Sequence, residues 1–576
     1  MIRNSNTVLY RISLRRHRGG ARCAAWARWH PAPAPFVRQG SSLMTVRVYM
    51  YKRTVACSSL LSLLSVGLTA AWPRLQTPSL KSDDAPAVPC FDPLDATACL
   101  QSALTGAAPV VTIPARGGQP WITRPLRING SNREIILEPG CVIQAKRGEF
   151  RGPQDSLFLI AGATNITLRG RNQFPHPGRE RFGTDSINLT AIPLLRMWKT
   201  DYANASKYST AEWRMGIWIG EGTASCGPTA PRDRFPYGPC SPTSGIVISD
   251  IRVESSGGDG IYVQNASNVS VLRVDSNDHY RQGLSVIDAS GLRIANSSFR
   301  NTNGTAPSCG IDLEPSDPGQ LMAGVAISNC LLANNTGCGL AISLGFVIGS
   351  NAPVSVDVSN ITMTNNTQAI AAGNLVDVNG SVAIADVLIN QDSCPQPERP
   401  AIQLTNKGTD GPALMFDRIQ LNSCTRATTA PVLFDVRANP SGSDVLRSPF
   451  GGIDLHEIAI RQSASIAGLS FLNVSMQVPS GCWPTNSTHC WQPRCILRNK
   501  FSLPANLWLS EQRCHISTWY SLFYGKIIVL RSRYVDIANV TGSFHILSAS
   551  AKSCDLVHRW KATPPGWNVT CVTQQR

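Results

Sequence analysis

The stretch that decides the fold is IVISDIRVESSGGDGIYV, residues 246–263. It joins two short alternating β-patterns through a Ser/Gly turn, and one acid, Asp259, stands just before the glycine that opens the second pattern. The first half recurs as VSVLRVDSN (269–277), LRIANSSFRN (292–301), VAISNCLLANN (325–335), VDVSNITMTNN (356–366), AIADVLINQDS (383–393) and LMFDRIQLNSC (414–424), with successive copies 23 to 33 residues apart. The second half recurs as QGLSV (282–286), CGIDL (309–313) and CGLAI (338–342). With no helical period between them, each repeat is one turn of a coil that cannot bury its apolar face alone and must stack on its neighbours. The expected fold is therefore all-β, a right-handed parallel β-helix of about ten coils. A β-sandwich of hairpins would need Asn-Gly or Asp-Gly turns at regular spacing, and these are scarce.

Outward from the repeat, DATACLQSALTG (95–106) before VVTIPA (110–115) reads as an N-terminal helix capping the first coil. Segments 170–215 and 223–244 read as loops, the second bracketed by Cys226 and Cys240, whose spacing would let them close a wall near Arg214. The β-helix is expected over 90–479. The region 480–576 differs, with six of the 13 Trp, six Cys and few repeat signatures. It reads either as a disulfide-stapled appendage with Trp faces for glycan or as sequence from a misassigned exon, and no chemistry is assigned to it.

The formal charge of +16 is unevenly placed. Residues 1–82 hold 13 Lys/Arg and no acid, and residues 480–576 hold 11 Lys/Arg against three acids, which leaves 29 basic and 34 acidic residues in 83–479. A domain of net charge −5 gives no support to nucleic-acid binding. The basic start has another explanation. MYKRTVACSSLLSLLSVGLTAAW, from Met50, has the short cationic start, apolar stretch and small residues of a cleaved secretory signal. Residues 1–71 are thus expected to be a targeting segment, with the signal at about 50–71. The Arg-rich 1–43 reads either as a transit peptide or as an overextended start before Met44 or Met50. A secreted protein without a stable membrane span after cleavage is expected, a signal-anchored or organellar form being the alternative. Sixteen Cys downstream of Cys57, with no paired CxxC spacing, fit a disulfide framework better than a zinc site, and sixteen N-x-S/T sequons fit export.

The second strands align on Gly216, Gly260, Gly283, Gly310 and Gly339. In GIDLEP, inward Ile311 and Leu313 leave Asp312 and Glu314 outward on one face, about 7 Å apart. Coils stack at about 4.8 Å, so Glu212 and Arg214, Asp259 with Tyr262, then Asp278, His279 and Arg281, and finally Asp312 and Glu314 would form one column roughly 15 Å tall. Copies from 325 onward carry almost no charge at equivalent places. Any single outward charge is usually only solvated, but this coincidence on adjacent coils favours a site.

Together EWRMG (212–216), SGGDGIYV (256–263), NDHYRQGLSV (277–286) and NTNGTAPSCGIDLEP (301–315) resemble a group of secreted right-handed parallel β-helix proteins of the pectin-lyase-like superfamily. The likeness spans roughly 95–460. It implies a polysaccharide partner more firmly than a reaction, because the superfamily holds lyases, polygalacturonases, epimerases and tailspikes. The polygalacturonase NTD, DD, GHG and RIK set and the epimerase DPHD motif are both lacking here.

Two chemistries and a non-enzyme follow. Cleavage of an acidic, uronate-containing glycan by β-elimination would use Arg214, or a cation held by Asp312 and Glu314, to neutralise the sugar carboxylate, with Arg281 or His279 as base. Calcium would suit that oxygen-rich pair, although no cofactor is required. Hydrolysis would use Asp259 with Asp312 or Glu314, about two coils or 9.5 Å apart, with Arg281 between them keeping one ionised. Catalysis is thus expected from Asp259, His279, Arg281, Asp312 and Glu314, and substrate binding from Glu212, Arg214, Tyr262 and Asp278. The third reading is a non-catalytic glycan-binding or wall protein. A monomer is expected.

Overall fold

The computed structural model describes residues 88–423, except 153–154, 173–190, 203, 205, 209–212, 221–242, 351, 392–398 and 409–410, and beyond 423 chiefly the backbone of the strands up to Thr573. All described residues belong to the unit Leu80–Arg576. The targeting segment, Glu212 and the Cys226–Cys240 loop lie outside them.

Every strand pairing among the described residues is parallel. Long strands Thr243–Glu254, Ala266–Asn277, Met322–Ala333, Val354–Thr364, Gly380–Asn390 and Ala413–Ser423 form one ladder, joined between the second and third by Ala289–Ala295 and Ser298–Arg300. Short strands Ile217–Ile219, Ile261–Val263, Leu284–Val286, Ile311–Leu313, Cys338–Ser343, Gln368–Leu375 and Ile402–Gly408 form another. Each coil contributes one rung to both. The core is made of aligned apolar columns: Ile246, Val269, Leu292, Val325, Val356, Val382 and Leu414 stack in register on one wall, and Ile261, Leu284, Ile311, Leu340 and Ile370 on another. No coil closes a core by itself, as the repeat implied. The helix Thr97–Thr105 buries Leu100 and Leu104 against the start of the stack, which is the cap expected from 95–106.

The corners explain the Asn and Ser residues that close each copy. Ser255, Asp278, Asn301, Asn334 and Asn365 occupy equivalent places on successive coils, and all have φ between 50° and 59°. Short polar side chains tolerate this left-handed conformation better than β-branched ones, so the corner selects them. The residue after each corner turns inward. Ser256, His279, Thr302, Asn335 and Asn366 form a buried polar ladder, in which the Asn335 side-chain oxygen accepts the Thr302 N–H at 3.1 Å and that of Asn366 accepts the Asn335 N–H at 3.1 Å. These bonds satisfy backbone groups that the corners leave without a sheet partner.

The glycine column has a different cause. A Cβ on Gly260 would stand 2.6 Å from the Gly283 carbonyl oxygen, and one on Gly283 would stand 2.5 Å from that of Gly310. The next coil's backbone passes where a side chain would begin, so spacing along the chain and contact across the coils are one constraint. Two disulfides are described, Cys90–Cys99 and Cys309–Cys338, the second linking neighbouring coils. Cys141 and Cys330 are buried free thiols, so the framework is not fully oxidised; burial pushes both thiols up to about 12. Beyond residue 479 the parallel ladder goes on through Cys495–Arg498, Cys514–Ser517 and Val535–Ala538, and through Pro504–Ser510, Tyr524–Leu530, Phe544–Ser548 and Val569–Thr573.

Candidate functional site

The outer face of the short-strand ladder bears the site. Its central column runs Trp218, Tyr262, Ser285, Asp312, Ala341 and Ala371 from coil to coil. Beside it, in the place just before each aligned glycine, stand Met215, Asp259, Gln282, Cys309 and Cys338. The face therefore has three zones. Met215, Trp218, Tyr262 and Ile287 pack as an apolar cluster, with the Trp218 and Tyr262 rings edge to face at 5.1 Å. Then come Asp259, Arg281, Gln282, Ser285, Asp312 and Glu314. Above them lie the disulfide and small residues.

In the polar zone, Arg281 binds two coils at once. Its Nη1 lies 3.5 Å from Asp259 Oδ2, and its Nη2 donates to Glu314 Oε2 at 2.9 Å. Gln282 Nε2 donates to Asp312 Oδ2 at 2.8 Å. Asp312 and Glu314 alternate with inward Ile311 and Leu313, so the strand puts both carboxyls on the outer face, as its pattern implied. Asp259 and Asp312 are at most 1% exposed, while Arg281 and Glu314 above them are partly exposed. Both Asp259 oxygens and Ser285 Oγ make no hydrogen bond of ordinary geometry. A buried carboxylate left so poorly partnered is expensive for a scaffold and ordinary for a site.

Burial dominates the proton affinities here. It lifts the Asp259 carboxyl to about 6, against the pull of the Arg281 charge and the nearby Ser285 and Gln282 dipoles. Asp312 rises well above the usual carboxylate range, through burial first and then the Glu314 charge. Burial would lower the Arg281 value, but Asp259, Asp312 and Glu314 raise it above that of an ordinary arginine. A guanidinium held in this way is a fixed cation and no base.

The other expected site residues go elsewhere. His279 takes the inner ladder position after its corner, fully buried, with Nδ1 2.8 Å from Ser256 Oγ and Nε2 2.9 Å from Ser276 Oγ. Burial brings its pKa down to about 3, so it is a neutral structural rung and not a base facing solvent. Arg214 shares a register place with Arg281, yet it is buried and donates to the carbonyls of Phe150 and Arg151 at 2.6 and 2.7 Å, with its guanidinium over the Tyr208 ring at 4.9 Å. Asp278 sits at the corner, paired with Lys199 at 2.7 Å. Tyr262 belongs to the apolar cluster next to Asp259. The structure thus joins Asp259, Arg281, Asp312 and Glu314, and adds Gln282, Ser285 and Trp218, whose uncharged side chains gave the sequence no signal beyond their register.

Among the described residues no three His, Cys, Asp or Glu side chains group as a metal cage. To hold calcium, Asp312 and Glu314 would have to give up Gln282 and Arg281, so the pair suits a guanidinium better than a metal ion.

Residues 237–348, which include Asp259, Arg281, Gln282, Asp312 and Glu314, match the family model described as a right-handed beta helix region. The parallel ladders and this match agree on the class: the described strands form a right-handed parallel β-helix. No curated protein sequence gives a significant match. Similar solved structures include the catalytic unit of a thermostable GH87 α-1,3-glucanase from Streptomyces thermodiastaticus strain HF3-3, at 16% identity and TM-score 0.33, over 69% of this chain and 66% of that one, just short of two thirds. The family 28 exopolygalacturonase of Yersinia enterocolitica is similar at 10% identity and TM-score 0.28, over 70% of this chain and 75% of that one. A mannuronic acid specific polysaccharide family 6 lyase from human gut microbiota is similar at 8% identity and TM-score 0.27, over 81% and 86%.

Proposed function

We propose that the protein is an extracellular polysaccharide-active enzyme that hydrolyses a glycosidic bond on the outer face of the short-strand ladder. One observation carries this reading: two buried carboxyl groups, Asp259 and Asp312, stand on alternate coils with Arg281 engaged near both. With its raised pKa, Asp312 keeps a proton to give to the leaving oxygen. Asp259, below its own pKa of about 6 a carboxylic acid and above it a carboxylate, takes a proton from the attacking water. Asp259 and Asp312 stand two coils apart along the stack, about 9.5 Å, and the reaction proposed is direct attack by that water with inversion at the anomeric carbon.

Hydrolysis fits better than β-elimination. Elimination needs a cation free for the uronate carboxylate and a base beside it, whereas Arg281 is already engaged by acids and His279 is internal. A uronate-containing chain remains the acidic substrate to try, and neutral chains are tried beside it, because three carboxyls here face a single described guanidinium. The test is a panel of uronate-containing and neutral glycans assayed for new reducing ends and for unsaturated products absorbing in the ultraviolet. Reducing ends without ultraviolet absorbance, lost in Asp312→Asn and Asp259→Asn, are expected; unsaturated products would assign the site to a lyase. A second reading, a non-catalytic glycan binder, is favoured by the sealing of Asp259 and Asp312 beneath Arg281 and Glu314. It predicts retardation on immobilised glycan with no new ends.

A further inference from the structure

We propose that Gln282 is the positioning residue of this site: it holds Asp312 by one carboxyl oxygen and so directs the acid's proton to the other, the oxygen available to Glu314 or to a leaving group. The proposal rests on Asp312 being the proton donor of the reading above.

The orientation of the Gln282 amide follows from its neighbours. Cys309 N–H donates to Gln282 Oε1 at 2.6 Å. A backbone N–H can meet only the carbonyl end of an amide, so the other end, Nε2, must be the NH2 group, and it lies 2.8 Å from Asp312 Oδ2. Asp312 Oδ2 is thereby an acceptor in both protonation states, and a proton on the buried carboxyl sits on Oδ1. Cys309 is itself fixed, since its sulfur is bonded to Cys338 of the next coil and accepts the Cys338 N–H at 3.2 Å. A covalent staple, a backbone donor, an amide and an acid thus form one directed chain across three coils. Gln282 is fully buried and both of its polar ends are used, so its part is one of orientation.

The charged and titratable groups that face Asp312 are Glu314 on its own strand, Arg281 on the preceding coil and Asp259 one coil further; on the following coil its register partner is Ala341. Gln282 stabilises the ionised form of Asp312 by donating to it. Its loss should raise the Asp312 midpoint by about one pH unit, the value of one buried donor to a carboxylate.

The experiment is a pH titration of the full chain by infrared spectroscopy, following the carboxylic-acid C=O band that disappears in Asp312→Asn. In Gln282→Leu the band should persist to a pH about one unit higher than in the wild type. Gln282→Glu keeps the acceptor for Cys309, so it reports even where the leucine variant fails to fold. While its added carboxyl is protonated it donates as the amide did, and Asp312 behaves as in the wild type; once ionised it repels, and the Asp312 midpoint rises. A purely structural Gln282 would give no such pH-dependent rescue. A wild-type midpoint in folded Gln282→Leu, or in Gln282→Glu at a pH where its added carboxyl is ionised, overturns the proposal. If the midpoint moves but no glycan is hydrolysed, the hydrolase reading fails and the catalytic part of this proposal with it, while the coupling of Gln282 to the Asp312 carboxyl stands.

Discussion

Asp312 and Ala341 are direct register partners on adjacent coils, facing the same way above identical core columns. Around Asp312 the face holds Asp259, Arg281, Gln282 and Glu314; around Ala341 it holds a disulfide, Ser343 and Ala371. The stack continues through both regions with the same glycine spacing and corner geometry. The solenoid therefore does not need charge on this face, and burying carboxylates there costs stability that the neighbouring coils do not give up. The charged zone is an addition to the scaffold.

The largest effect that separates the two regions should come from Asp312→Asn. Hydrolysis of the responsive glycan should fall about 1000-fold, while thermal unfolding is hardly changed. Ala341→Ser, one coil away, should leave the rate within a factor of two of wild type, by initial-rate assay. A change in what the regions share comes next. Gly283→Ala puts a methyl group against the Gly310 carbonyl and Phe299, and should cost about 3 kcal/mol in denaturant unfolding.

Asp259→Asn should sharpen the contrast in the other direction. The folded pKa of about 6 lies above the unfolded carboxylate value, so the protonated form favours folding and that advantage is lost as pH rises through 6. The variant should be about 2 kcal/mol more stable than wild type at pH 8 and equal to it at pH 4, with hydrolysis abolished. The activity of the wild type should climb through pH 6 and fall again where Asp312 loses its proton. The smallest effect concerns the shared inner ladder. His279 titrates near 3 in the fold and higher in the unfolded chain, so its contribution is present at neutral pH and is lost on acidification. His279→Asn should lose about 1 kcal/mol less than wild type between pH 7 and 5.5, measured by urea unfolding.

Much of this was legible in the residues because it rests on short-range rules. Glycine at a fixed spacing marks close approach of coils, alternation in GIDLEP places Asp312 and Glu314 together, and Asn or Ser after each first strand marks a corner. His279 was misread because the left-handed residue before it, Asp278, reverses the alternation, so counting from the strand puts its ring on the wrong side. Arg214 was misread because a long side chain is not aimed by register alone; it bends to two carbonyls and an aromatic ring, while Arg281, at the same place two coils on, finds carboxylates. Gln282 carried no charge to draw notice, and its value depends on a backbone N–H that is 27 residues away in the chain.

The corners have a consequence for how such a chain can change. Ser256 and His279 are 23 residues apart and Thr302 and Asn335 are 33, yet both pairs occupy the same inner ladder on neighbouring coils. The extra length in the second coil is spooled out beyond the corner, in segments such as 303–308 and 315–321 that flank Asp312, without shifting any rung. The ladder works as a set of fixed clips and the loops as free cord between them. The rim of the site can therefore be lengthened, shortened or exchanged from one descendant to the next while the positions of the acids stay where they are.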